Sequence, residues 1–117
     1  MYSKGDIVWV RFPFSDLSKS KLRPALVLSN DRINSTGDYI LAQITSKVKD
    51  DGLSIVLHES SSSQAPLKIL SSVRPYKVFT LNDSLIASKQ TAVKEQFLSE
   101  VQHTLVSYFL DEFTDLR

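Results

Sequence analysis

Apolar residues follow two regimes along this chain. As far as Ala92 they come in short runs with strand-like spacing; from Lys94 to about Leu110 they recur every four residues. The first two runs, GDIVWVRFPF and LRPALVLSN, flank the polar stretch SDLSKSK and predict an antiparallel hairpin with a long loop between Gly5 and Asn30. Alternation puts Ile7 and Trp9 on one face of the first strand and Val8, Val10 and Phe12 on the other. Pro13 ends that strand because it has no N–H to give to a ladder. The return strand, Ala25 to Ser29, is apolar nearly throughout, which suits a strand buried on both faces. Arg23-Pro24 stands at its entrance, and proline biases the residue before it towards extended backbone.

Asp31–Asp38 reads as a loop with one helical turn, and Tyr39–Ile44 as a third strand ending in Thr45-Ser46. A turn over Lys47–Gly52 leads to a fourth strand, Leu53–His58, and then to the serine-rich run Glu59–Gln64, expected to be a mobile loop. Leu67–Leu70 and Val73 to Leu81 suggest a further strand interrupted at Arg74-Pro75, and Ile86–Ala92 a last short one. Beyond it, Phe97, Val101, Leu105 and Phe109, widened by Leu98 and Tyr108, make the apolar stripe of an amphipathic helix that packs on the sheet or on a dimer partner. Five or six short strands and one C-terminal helix predict a small, mostly β barrel. No linker divides the 117 residues, so the expectation is a single domain, 1–117.

Composition narrows the chemistry. There is no cysteine, which excludes disulfides and thiolate metal sites, and two histidines, His58 and His103, do not make a metal site by themselves. The N-terminus lacks the apolar core of a signal peptide and no run reaches membrane-spanning length, so a cytoplasmic protein is expected, with neither cofactor nor membrane partner. A net charge of +1 hides an asymmetry. Residues 1–30 carry Lys4, Arg11, Lys19, Lys21 and Arg23 against Asp6 and Asp16, whereas residues 93–117 are acidic. That pattern points to a local basic patch, not to bulk nucleic-acid binding. An arginine held at the mouth of a basic loop is a candidate phosphate site; by itself it is equally a surface arginine at a strand end.

Taken together, KGDIVWVRFPFSD, KLRPALVLSN, ILAQITS and SSVRPYKVFTL, in this order, resemble the MazF/PemK family of toxin endoribonucleases from toxin–antitoxin systems. The resemblance runs from about Lys4 to about Phe109. It implies an SH3-like barrel of the MazF/PemK/CcdB type with a C-terminal helix, a homodimer, a cognate antitoxin, and metal-independent cleavage of single-stranded RNA at short sequences. Matching by position makes Arg23 and Thr45 the catalytic residues. Ser46 lies beside Thr45, Ser72 falls on a substrate-contacting serine, and Phe12–Lys21 falls on a loop that covers the RNA. One departure is Gln90-Thr91, where many members have Ile-Gly; the element is structural, so the expected effect is on local geometry. The serine run, an insertion in a variable loop, bears on substrate preference.

RNA is cut when its 2′-hydroxyl attacks the adjacent phosphate, which separates it from DNA. Arginine suits the charge that develops there, because its fork matches two phosphate oxygens and stays protonated. Thr45 offers a short, stiff hydroxyl as an oxyanion donor. The products would be a 2′,3′-cyclic phosphate and a 5′-hydroxyl. Phe14 is the better base-stacking candidate, worth about 1–3 kcal/mol per base if exposed, while Trp9 reads as core. Lys19 and Lys21 are either phosphate contacts or solvated loop charges. A histidine acid–base pair is the competing site, but nothing in the sequence brings His58 and His103 together. The alternative on the same architecture is a non-catalytic toxin that poisons a protein target such as DNA gyrase.

Overall fold

The computed structural model describes residues 1–11, 21–48 and 51–111. Within these residues the strands are β1 (Asp6–Arg11), β2 (Leu22–Val27), β3 (Asp38–Thr45), β4 (Ile55–Leu57), β5 (Ser71–Asn82) and β6 (Ile86–Ala92); the helices are α1 (Asp31–Asn34) and α2 (Glu95–Ser107). The six strands form one antiparallel sheet in the order β4-β5-β3-β2-β1-β6, curled into a half-barrel.

Alternation along β1, β2 and β3 is legible in the core, because both faces of these strands are covered. Ile7, Leu26, Ala42 and Ile44 pack with Val73 and with Phe97, Leu98 and Val101 of α2. Val8, Val10, Ala25, Val27, Tyr39 and Leu41 pack on the other face with Leu81 and Ile86. Gly5 precedes β1 with a φ of +91°, a conformation that only glycine adopts without strain. Its N–H donates to Val27 O and its carbonyl accepts from Val93 N, both at 2.8 Å, so one residue ties the end of β2 to the start of the helical segment.

The hairpin, the helical turn after Asn30, the third strand and the last strand stand where the sequence puts them. Four boundaries differ. β2 starts at Leu22 and ends at Val27, so Arg23 lies inside the strand, opposite Val10, not at its entrance. β4 is only three residues long, and Leu67–Leu70 is not strand. β5 runs unbroken through Arg74-Pro75, because Pro75, Tyr76 and Lys77 form a bulge between the Ala42–Val78 and Gln43–Arg74 pairs. Finally α2 stops at Ser107, which leaves Phe109 75% exposed instead of completing the buried stripe.

The serine run is also not the loose loop expected. Glu59–Ser61 is a 3-10 turn. Ser62 is buried and bridges Val93, while Ser63 N donates to Ala92 O (2.9 Å) and Lys94 N to Ser61 O (2.7 Å). These bonds draw the segment after β4 against the end of β6, the other side of the half-barrel.

Candidate nucleic-acid cleft

A cleft opens where β2 and β3 part. β2 pairs with β1 as far as Leu22, but with β3 only from Ala25 (opposite Gln43) to Val27. Proline explains where the ladder stops: Pro24 has no N–H to donate towards β3. Arg23 lies two residues before Ala25 and Thr45 two residues after Gln43. Continued pairing would make them direct neighbours on one face of the sheet. Instead the strands splay, and both residues line a cavity of about 380 Å³ together with Trp9, Leu22, Pro24, Gln43, Ser46, Lys47, Leu67, Lys68, Ile69, Ser71 and Gln90.

The lining chemistry is one-sided. Among the described residues it holds three cations, Arg23, Lys47 and Lys68, and no carboxylate. Apolar wall comes from Trp9, Leu22, Leu67 and Ile69. Amides and hydroxyls come from Gln43, Gln90, Thr45, Ser46 and Ser71. Positive charge beside aromatic and aliphatic surface is what a single nucleic-acid strand requires, since it presents phosphates and unstacked bases together.

Thr45 is held by its own turn. Its Oγ1 accepts from Lys47 N at 3.1 Å, which occupies one lone pair and fixes the rotamer. The hydroxyl keeps its own proton free to donate. Arg23 is exposed and lines the cavity from the β2 side.

Of the residues singled out from sequence, Arg23, Thr45 and Ser46 therefore come together in one cleft. Lys21 is exposed and precedes β2, outside the lining. Phe14 and Lys19 lie outside the described residues. Ser72 pairs with Thr45 across β3 and β5, yet it is fully buried, its hydroxyl has no hydrogen-bond partner among the described residues, and it does not line the cavity. Its neighbour Ser71 is the one that lines the cavity.

Trp9 corrects a reading. Alternation assigns it correctly to the Ile7 face, but the core on that face ends before β1 does. The indole comes out half-buried in the cleft, where its Nε1–H donates to Gln90 Oε1 at 2.7 Å. Gln90, a departure assigned to local geometry, is thus a wall residue. Lys47 and Lys68 were not singled out either; Lys47 belongs to the charged turn KVKDDG and Lys68 to the apolar run PLKIL, and only the fold brings them to Arg23. His58 and His103 line separate depressions, and His103 Nδ1 lies 2.7 Å from Ser99 O on its own helix.

The structure superposes on MazF (Form-I) from Deinococcus radiodurans with a TM-score of 0.74 at 27% identity, covering 92% of this chain and 96% of that one. A MazE-MazF structure (Form-II) from the same organism gives 0.75 at 25% identity, covering 92% and 95%. An endoribonuclease in complex with its cognate antitoxin, from a mycobacterial species, shares the fold with a TM-score of 0.73 at 14% identity, covering 93% and 95%. No functionally curated protein matches the sequence significantly. Residues 3–109 match the PemK-like, MazF-like toxins of type II toxin–antitoxin systems, and with nearly the whole chain so matched, the protein belongs to that family.

Proposed function

We propose that this toxin is a metal-independent endoribonuclease that cuts single-stranded RNA. The observation that carries the reading is the splay of β2 from β3. It leaves Arg23 and Thr45, which a continued ladder would pair, both lining one cationic cleft.

The reaction needs little machinery. The ribose 2′-oxygen bonds to the adjacent phosphorus, the bond from phosphorus to the 5′-oxygen breaks, and a proton passes from the first oxygen to solvent while another reaches the second. Arg23 stabilises the growing charge on the two non-bridging oxygens through its fork. Thr45 donates its hydroxyl proton to the same group. Lys47 and Lys68 hold the flanking phosphates, and Trp9 offers a face to a base. The ends formed are a 2′,3′-cyclic phosphate and a 5′-hydroxyl. DNA, which has no 2′-hydroxyl, resists.

Incubation of the purified protein with a long single-stranded RNA in EDTA tests this most directly. Fragments with cyclic-phosphate and 5′-hydroxyl ends are expected; activity lost in EDTA and restored by magnesium would overturn the mechanism. An RNA left intact under all conditions would instead favour action on a protein target.

Two assembly properties follow from family membership. A cognate antitoxin is the expected partner, as the MazE-MazF neighbours support. A homodimer is expected as well, and the exposed apolar residues Val106, Tyr108, Phe109 and Leu110 at the end of α2 give it a surface to bury. Light scattering that returns the 13.2 kDa of one chain at micromolar concentration would contradict it.

A further inference from the structure

Gln90 is aimed at the cleft by a defect in the sheet. β6 pairs Thr91 with Ile7 and Lys89 with Val8, so Gln90 is the extra residue of a bulge with no partner on β1. Bulges re-aim side chains. Here the residue before the bulge is pinned, because Lys89 Nζ lies 3.4 Å from Asp6 Oδ1 on β1.

The hydrogen bond to Trp9 then decides which end of the Gln90 amide faces the cavity. An indole N–H can only donate, so the group 2.7 Å from Trp9 Nε1 must be the amide oxygen. The bond takes one of the oxygen's two lone pairs and turns that end of the amide towards the indole, so the N–H₂ group keeps both donors for a ligand. A glutamine free to rotate could present either end; this one has its oxygen end held by Trp9.

On the RNA-binding role proposed above for the cleft, we infer that Gln90 is a specificity residue that reads a keto-bearing base. Uracil O4 or guanine O6 accepts from its N–H₂. Cytosine and adenine present an exocyclic N–H₂ at the same place, and donor then faces donor, leaving both desolvated and unpaired. Trp9 serves twice: it orients the amide, and its ring supplies a surface against which the base lies.

Trp9 is the single tryptophan of the chain, so its fluorescence reports directly on this wall of the cleft. The test titrates 2′-O-methyl oligouridylate and oligocytidylate, whose blocked nucleophile prevents cleavage, into the wild-type toxin, Gln90→Leu and Gln90→Glu. The two ligands differ only at the edge that Gln90 is inferred to read. Wild type is expected to bind the uridylate about tenfold more tightly, the scale of one buried donor left unpaired. Gln90→Leu should bring the ratio near one. Gln90→Glu should reverse it, because the second carboxylate oxygen accepts from cytosine N4–H₂ while the first keeps the indole bond. Equal affinities in wild type, a ratio that survives Gln90→Leu, or no fluorescence response to either oligonucleotide would overturn the inference. Since no cleavage is involved, a protein that shows the preference but cuts no RNA refutes the nuclease reading alone. One that cuts RNA but shows no preference refutes the role of Gln90 alone.

Discussion

Replacing Arg23 by lysine keeps the charge of the cleft and takes away only a shape. The cavity still has three cations, with Lys47 and Lys68 in place, so the long-range attraction for a phosphate backbone is nearly the same. What disappears is the planar fork that spans two oxygens of one phosphate; an ammonium is a point donor. The loss should therefore fall on the transition state, where those oxygens gain charge, and much less on RNA binding. A lost oxyanion donor costs about 2–4 kcal/mol, or roughly 30- to 1000-fold in rate. The fold should hardly notice. Arg23 is exposed, its backbone pairing with Val10 does not depend on the side chain, and such surface changes usually move stability by less than about 0.5 kcal/mol. Single-turnover cleavage of a single-stranded RNA in EDTA, run beside a thermal melt, separates the two effects. Wild-type cleavage by Arg23→Lys would refute the bidentate role, and a collapsed melt would show that the side chain holds structure the exposed position gives no reason to expect.

Further outcomes follow from the same geometry. Thr45→Ala should lower the cleavage rate about 10- to 1000-fold, while costing no more than about 1 kcal/mol of stability, since the Lys47 N–H it releases is exposed and finds water. A rate within twofold of wild type would remove Thr45 from the chemistry. His58→Ala and His103→Ala should keep most activity, as the two rings line separate depressions away from Arg23; a dead mutant of either would move the site. Gly5→Ala should destabilise by about 1–2 kcal/mol in a urea melt, purely through its φ of +91°, because an added Cβ would meet Leu98 at an ordinary 3.6 Å. An unchanged midpoint would mean that the turn relaxes.

What sequence could and could not reveal has a physical pattern. Strand alternation was readable in Ile7–Val10 and Tyr39–Ile44 because cores cover both faces, and the period of α2 was readable as far as Val101. Alternation names a face but not how far along a strand the core extends. Trp9 therefore passed for core, and Phe109 passed for helix stripe although α2 ends two residues earlier. Arg74-Pro75 looked like a break because a three-residue bulge has no sequence signature apart from the proline. Arg23 and Thr45 were found by family resemblance. Their companions Lys47, Lys68 and Gln90 were not, since those residues meet only through a strand order that puts β6 next to β1 and β5 next to β3.

The bonds between the serine run and the end of β6 also change how the margins of this sheet behave. An open sheet offers its outer strands to any passing chain, and such edges template association between molecules. Here one outer strand, β4, is only three residues long, and Ala92 O, at the far end of the other, already accepts from Ser63. A stretch of four consecutive serines, which composition alone marks as filler, thus acts as a clasp. It occupies main-chain positions that a neighbouring copy would otherwise pair with. Lengthening it is expected to free that margin, so an insertion here should promote association between copies.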